Sequence, residues 1–136
     1  MQIRLWAPYI MFNNLTWKEF SIQAKDWFSW KPGRQKTGYD SFLLFLNPFL
    51  IPFHVLILRY PEGSCIPPHK DKAKNFKHYR LNFLIKEAKK GGRFITEGAF
   101  YQSRFVNFFR PDLHKHEVPK IEIGSRYVFS IGWILR

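Results

Sequence analysis

Residues 126–135 read Arg-Tyr-Val-Phe-Ser-Ile-Gly-Trp-Ile-Leu, and this is the last and longest strand-like run of the chain. Successive side chains on a strand point to opposite faces, so Arg126, Val128, Ser130 and Gly132 share one side. An arginine on an inward face needs a buried anion beside it. The competing reading is an edge arginine that pairs with Glu122 or stays in water.

Working back from that run, the chain offers further short strands. Phe53–Tyr60 is rich in β-branched, aromatic and aliphatic residues and stops at Pro61-Glu62-Gly63, a turn signal. Tyr79–Lys86, Arg93–Thr96 behind Gly91-Gly92, Arg104–Phe109 ahead of Arg110-Pro111-Asp112, and Lys115–Val118 complete the set. Arg34–Asp40 reads as a loop, and from Ser41 onward the pattern turns to short runs. Short strands separated by turn signals predict a sandwich or barrel. One helix is expected ahead of them, from Asn14 to Trp30. Asn14 or Thr16 could cap it, with Glu19 three after Thr16 as in a capping box, Trp17, Phe20, Ala24, Trp27 and Phe28 recur at helical spacing, and Lys31-Pro32-Gly33 ends it. Such an aromatic stripe reads as core rather than as a ligand box. The expected organisation is one domain over 1–136, with helical support and a leading strand in 1–52 and the β core in 53–136.

At 136 residues with 46% hydrophobic and 19% aromatic content, the chain has ample material for a core. Cys65 is the only cysteine, so no internal disulfide forms, which suits a reducing compartment. The most apolar run, Phe42–Leu58, is broken by Asn47, Pro48, Pro52 and His54 and falls short of the ~20 residues a spanning helix needs. The start of the chain lacks a signal-peptide core. A soluble cytoplasmic protein without a membrane segment is expected. The net charge of +12 favours polyanions, although a basic face also serves solubility alone.

His69 and Asp71 follow Pro67-Pro68, which favours extended backbone, so an imidazole and a carboxylate two residues apart point the same way. Alone, this pattern also fits a solvated turn. A second imidazole comes from His114 or His116. His116 is chosen because Glu117-Val118-Pro119, Gly124 and Arg126 follow it, and His114 is left as a supporting or exposed residue. His54 reads as a core or strand histidine and His78 as a loop residue beside the site. Two imidazoles and one carboxylate can take one face of a ferrous ion and leave positions open for substrate and oxygen. Arg126 could then hold the far carboxylate of a bidentate co-substrate.

The ordered landmarks Tyr60-Pro-Glu-Gly-Ser, Pro68-His-Lys-Asp, Arg80-Leu-Asn-Phe-Leu-Ile, Gly91-Gly-Arg-Phe, His116-Glu-Val-Pro, Gly124-Ser-Arg-Tyr and Trp133 resemble the Fe(II)- and 2-oxoglutarate-dependent dioxygenases. The likeness covers roughly residues 55–135 and lies nearest the prolyl-hydroxylase-like branch. It implies a double-stranded β-helix, a cupin-like jelly roll of two facing sheets, with a supporting N-terminal helix. It implies that His69, Asp71 and His116 bind Fe(II), that Arg126 and Tyr60 hold 2-oxoglutarate, and that O2 takes the remaining position. Ser130 is a further candidate contact for the co-substrate. The strand after the metal loop often carries an inward tyrosine in this family. Here Phe83 stands nearest that place, with Tyr79 or Asn82 as substitutes on opposite faces. The chain is short for the family, so its site is expected to be open or completed by a partner.

Lys70, Lys72, Lys74 and Lys77 flank the metal residues, with Arg80 and nearby aromatic residues interleaved. Cations for phosphates and rings for bases suit nucleic acid. The plainer reading is solvated lysines over core rings. Peptide side chains and small metabolites are the other substrate classes. The alternative function is a basic jelly roll without catalysis that binds a polyanion.

Overall fold

The computed structural model describes residues 27–47, 50–73 and 75–135. Among these, the chain forms twelve strands. They are β1 (Trp30–Pro32), β2 (Asp40–Asn47), β3 (Phe53–Tyr60), β4 (Ile66–His69), β5 (Lys77–Lys86) and β6 (Lys90–Gly91), then β7 (Ile95–Thr96), β8 (Tyr101–Gln102), β9 (Val106–Phe109), β10 (His116–Val118), β11 (Ile121–Ile123) and β12 (Arg126–Leu135). Seven build one sheet in the order β1-β2-β3-β12-β5-β9-β8, and the others form the small sheets β4-β10-β7 and β11-β6.

The large sheet is organised by β12, which pairs antiparallel with β3 from Arg126↔Tyr60 to Trp133↔Phe53 and with β5 on its other side. Period-two alternation decides what faces inward. His54, Leu58 and Tyr60 of β3, Arg80 and Asn82 of β5, and Arg126, Val128 and Ser130 of β12 are all buried. Val118 of β10 and Ile121 of β11 join Leu58, Tyr60, Val128 and Tyr39 in one apolar cluster, so the small sheets lie against that inner face. The close approach needs glycine. A Cβ on Gly92 would fall 1.9 Å from Ile121 Cδ1, and its φ of +72° suits glycine as well. On the outer face, Tyr79, Phe108 and Trp133 stack with centroids 5.7–6.3 Å apart.

The strands Phe53–Tyr60 and Arg126–Leu135 match their expected bounds. β5 starts two residues earlier than expected, because Ile134 and Leu135 supply partners for His78 and Lys77. Most of the expected N-terminal helix, with Trp17 and Phe20, lies outside the described residues. Its last turn is corrected. Trp27 bridges Leu43, Phe28 donates its N–H to the Leu43 carbonyl at 3.1 Å, and Trp30 opens β1. The free edge of β2 gives this segment backbone partners that a helix would forgo. Among the described residues no helix is long and apolar enough to cross a membrane.

Candidate metal centre and its cavity

His69 closes β4 and His116 opens β10, and the two are cross-strand partners with ring centroids 4.4 Å apart. Asp71 stands two residues beyond His69, buried and pinned by its N–H to the Pro111 carbonyl at 2.8 Å. One ligand atom from each of His69, Asp71 and His116 lies within 4.8 Å of the others, the one such group among the described residues. The tautomers suit ligation. His69 Nδ1 meets the Pro67 carbonyl at 2.8 Å and His116 Nδ1 meets the His114 carbonyl at 2.9 Å. Nδ1–H donation in both rings leaves Nε2 with its lone pair for a metal.

Protonation differs between the two imidazoles. Burial pushes the His116 imidazole down to about 4, although the His114 carbonyl pulls the other way. It is neutral near pH 7. For Asp71 burial opposes ionisation, but the adjoining His69 and His78 rings and the cations of Arg34 and Arg80 outweigh it and hold the carboxyl far below its usual range. His69 is pulled above its ordinary value, because Asp71 and the Pro67 carbonyl outweigh burial. The donor set of two neutral-capable imidazoles and one carboxylate therefore fits a divalent first-row ion.

The triad borders a cavity of about 110 Å³, lined also by Tyr39, Tyr60, Arg80, Asn82, Arg126 and Val128 among others. Arg126 and Tyr60 are register partners and both line it. Arg126 Nε is buried with no hydrogen-bond partner, and burial lowers its guanidinium from the ordinary value despite Tyr60 and Glu87. A buried, unsatisfied donor on a cation is a seat for an anion. Tyr60 stacks on Tyr39 at 5.2 Å, and burial raises both phenols.

Several expectations change in this setting. Arg80 does not belong to the solvated basic flank. It is buried at the cavity wall and donates to Ser130 Oγ at 2.9 Å. Ser130 in turn donates to Asn82 Oδ1 at 2.7 Å, so its hydroxyl proton serves the wall rather than an incoming ligand. Asn82 borders the cavity, whereas Phe83 points outward against Phe129, and Tyr79 also faces out. His78 is not a loop residue: it is fully buried in β5, with Nδ1 3.4 Å from Asp71 Oδ2. His114 lies ahead of β10, outside the metal group, and accepts the Arg110 N–H at 3.2 Å. His54 is a buried strand residue, as expected. Lys70, Lys72 and Lys77 are exposed, and Lys74 lies outside the described residues.

Two residues absent from the sequence reading reach the triad from the loop between β1 and β2. Arg34 binds Asp71 Oδ1 at 3.1 Å, and Gln35 Nε2 lies 2.8 Å from His69 Nε2. The polar composition of 34–40 gave no hint that its backbone bonds, Cys65 N–H to Thr37 and Gly33 N–H to Tyr39, turn it over the site.

A large antiparallel sheet covered by smaller ones around a cavity defines a cupin-like jelly roll. The comparisons agree. Over 87% of this chain and 81% of the other, the fold matches a prolyl-4-hydroxylase from Pseudomonas putida, with a TM-score of 0.58 and 14% identity. A viral collagen prolyl hydroxylase from Paramecium bursaria Chlorella virus-1, solved as a 2-oxoglutarate complex, matches with a TM-score of 0.51 and 12% identity over 88% of this chain and 90% of that one. KdgF from Halomonas sp. matches with a TM-score of 0.50 and 13% identity over 76% and 84%. No protein-family model matches the sequence, and no curated protein does. At these identities the likeness establishes the fold alone.

Proposed function

We propose that this chain is an Fe(II)- and 2-oxoglutarate-dependent dioxygenase that hydroxylates a C–H bond, releasing succinate and CO2. The observation that carries the reading is one cavity whose lining holds both the His-Asp-His group and a buried arginine lacking a partner for Nε. His69, Asp71 and His116 would hold the iron, which when bound supplies the oxidising chemistry that the side chains lack. Arg126 would take the far carboxylate of 2-oxoglutarate, with Tyr60 beside it. Arg80 and Asn82 present polar atoms from the wall, and Ser130 fixes both. Leu56, Leu58 and Val128 supply apolar lining to the same cavity. The fold is shared with two prolyl hydroxylases, and that likeness supports the reading without naming a substrate.

The test is an anaerobic titration of metal-free protein with Fe(II) and then 2-oxoglutarate, followed by the weak visible charge-transfer band of the chelate. The band should form, and should vanish in His116→Ala. Folded protein that gives no band would sink the assignment and leave a binding module with a basic face.

A further inference from the structure

Asp71 offers its two oxygens to different neighbours. Oδ2 faces His78 at 3.4 Å, while Oδ1 lies 3.4 Å from His69 Nε2, the neighbouring ligand. Oδ1 is also the atom that Arg34 binds, at 3.1 Å. The Gln35 amide nitrogen stands 2.8 Å from His69 Nε2, the lone pair that Nδ1–H donation to Pro67 leaves available. Two of the three ligand atoms are thus engaged by adjacent residues of one loop.

That loop is built to hold them there. Gly33 donates its N–H to the Tyr39 carbonyl at 2.7 Å, and Lys36 donates to Gly33 at 2.9 Å. Thr37 exchanges two bonds with Cys65, one through the backbone and one from its hydroxyl to the Cys65 carbonyl. The Tyr39 hydroxyl donates to Gln35 Oε1, which aims the amide nitrogen at His69. A Cβ on Gly33 would fall 2.2 Å from the Tyr39 ring, so the arrangement requires glycine.

We propose that Arg34 and Gln35 are a gate on the metal seat, occupying Asp71 Oδ1 and His69 Nε2 until a divalent ion displaces them. The inference rests on the metal reading of the triad. A guanidinium cannot share the oxygen that faces a dication without strong repulsion, because two like charges a few ångströms apart repel even at an intermediate dielectric. An amide N–H cannot donate to a lone pair that a metal has taken. Residues that merely support a metal's ligands behave oppositely, since removing them weakens metal binding about 10–100-fold. The sign of one measurement separates the two roles.

The experiment is calorimetric titration of the metal-free full chain with Mn(II) alone, at fixed pH, for wild type, Arg34→Ala, Gln35→Ala and His116→Ala. A gate predicts that Arg34→Ala and Gln35→Ala each bind Mn(II) about fivefold or more tightly. Unchanged or weaker binding in both overturns the gate while the metal site stands. A wild type that ignores Mn(II), or a His116→Ala that binds it equally well, overturns the metal site and the gate with it. Circular dichroism of each variant guards against misfolding. If Arg34→Ala fails to fold, Gln35→Ala decides the matter alone.

Discussion

Replacing Arg126 by methionine should make the ligand-free protein more stable and the co-substrate site worse. Arg126 is 6% exposed, and its Nε has no hydrogen-bond partner. Leaving such a donor buried costs about 1–3 kcal/mol, which methionine of similar length recovers while it fills the same space. Unfolding entropy near the midpoint is roughly 2.1 cal/mol/K per residue, or about 0.3 kcal/mol/K for this chain. The midpoint of Arg126→Met should therefore rise by about 3–10 °C in thermal denaturation of metal-free protein. Binding should move the other way. Loss of a charge-assisted contact worth about 1.5–3 kcal/mol weakens 2-oxoglutarate binding by roughly 10–150-fold, measured by anaerobic calorimetry on the Mn(II)-loaded protein. A variant that is less stable than wild type and binds 2-oxoglutarate within twofold of it would refute the reasoning, and would make Arg126 a structural residue.

Other outcomes follow from the same geometry. Ser130→Ala should cost about 2–3 kcal/mol in urea denaturation, because it strips Arg80 of an acceptor and Asn82 of a donor inside the core; a change below about 0.5 kcal/mol would mean that water replaces the hydroxyl. The unfolded chain protonates His116 below its ordinary value of 6.5, while the folded chain keeps it neutral down to about 4. The contribution of His116 should thus be full above pH 6.5 and fall towards pH 4, with buried His54 and His78 adding in the same direction and His69, held above its ordinary value, opposing them; a urea midpoint that falls no more in wild type than in His116→Ala from pH 7.5 to 5 would contradict this. Gly91→Ala should destabilise severely, since φ is +79° and the new Cβ meets the Lys120 carbonyl at 2.3 Å; a near-normal thermal midpoint would refute it. Charge reversal at Lys70, Lys72 and Lys77 should weaken binding of single-stranded DNA and lower its salt dependence; unchanged affinity in a filter-binding titration would remove the polyanion reading.

The parts of the site that were legible in sequence are those where local pattern and chemistry coincide. Arg126–Leu135 and Phe53–Tyr60 are long enough for alternation to fix their faces, and His69-x-Asp71 with His116 is a chemical pattern as much as a structural one. What stayed hidden depends on pairing between distant segments. β6, β7 and β8 have two residues each, too few for any periodicity to show. Arg80 looked like one more cation in a basic stretch. The alternation Arg80, Asn82 within the expected strand was the available signal, and His78 joins it because β5 begins at Lys77. Arg34 and Gln35 reach the triad through the bonds of Thr37 to Cys65, a contact between segments 28 residues apart that no local motif encodes.

The pairing of His69 with His116 joins segments 47 positions apart (116 − 69) through strands of only four and three residues. So small a sheet has little cohesion of its own, and an ion held across it would act as a reversible rivet. Opening that wall and releasing the ion become a single event, so protease resistance near residues 66–71 and 116–118 should follow the supply of metal. The lifetime of the protein would then register how much of that ion its surroundings provide.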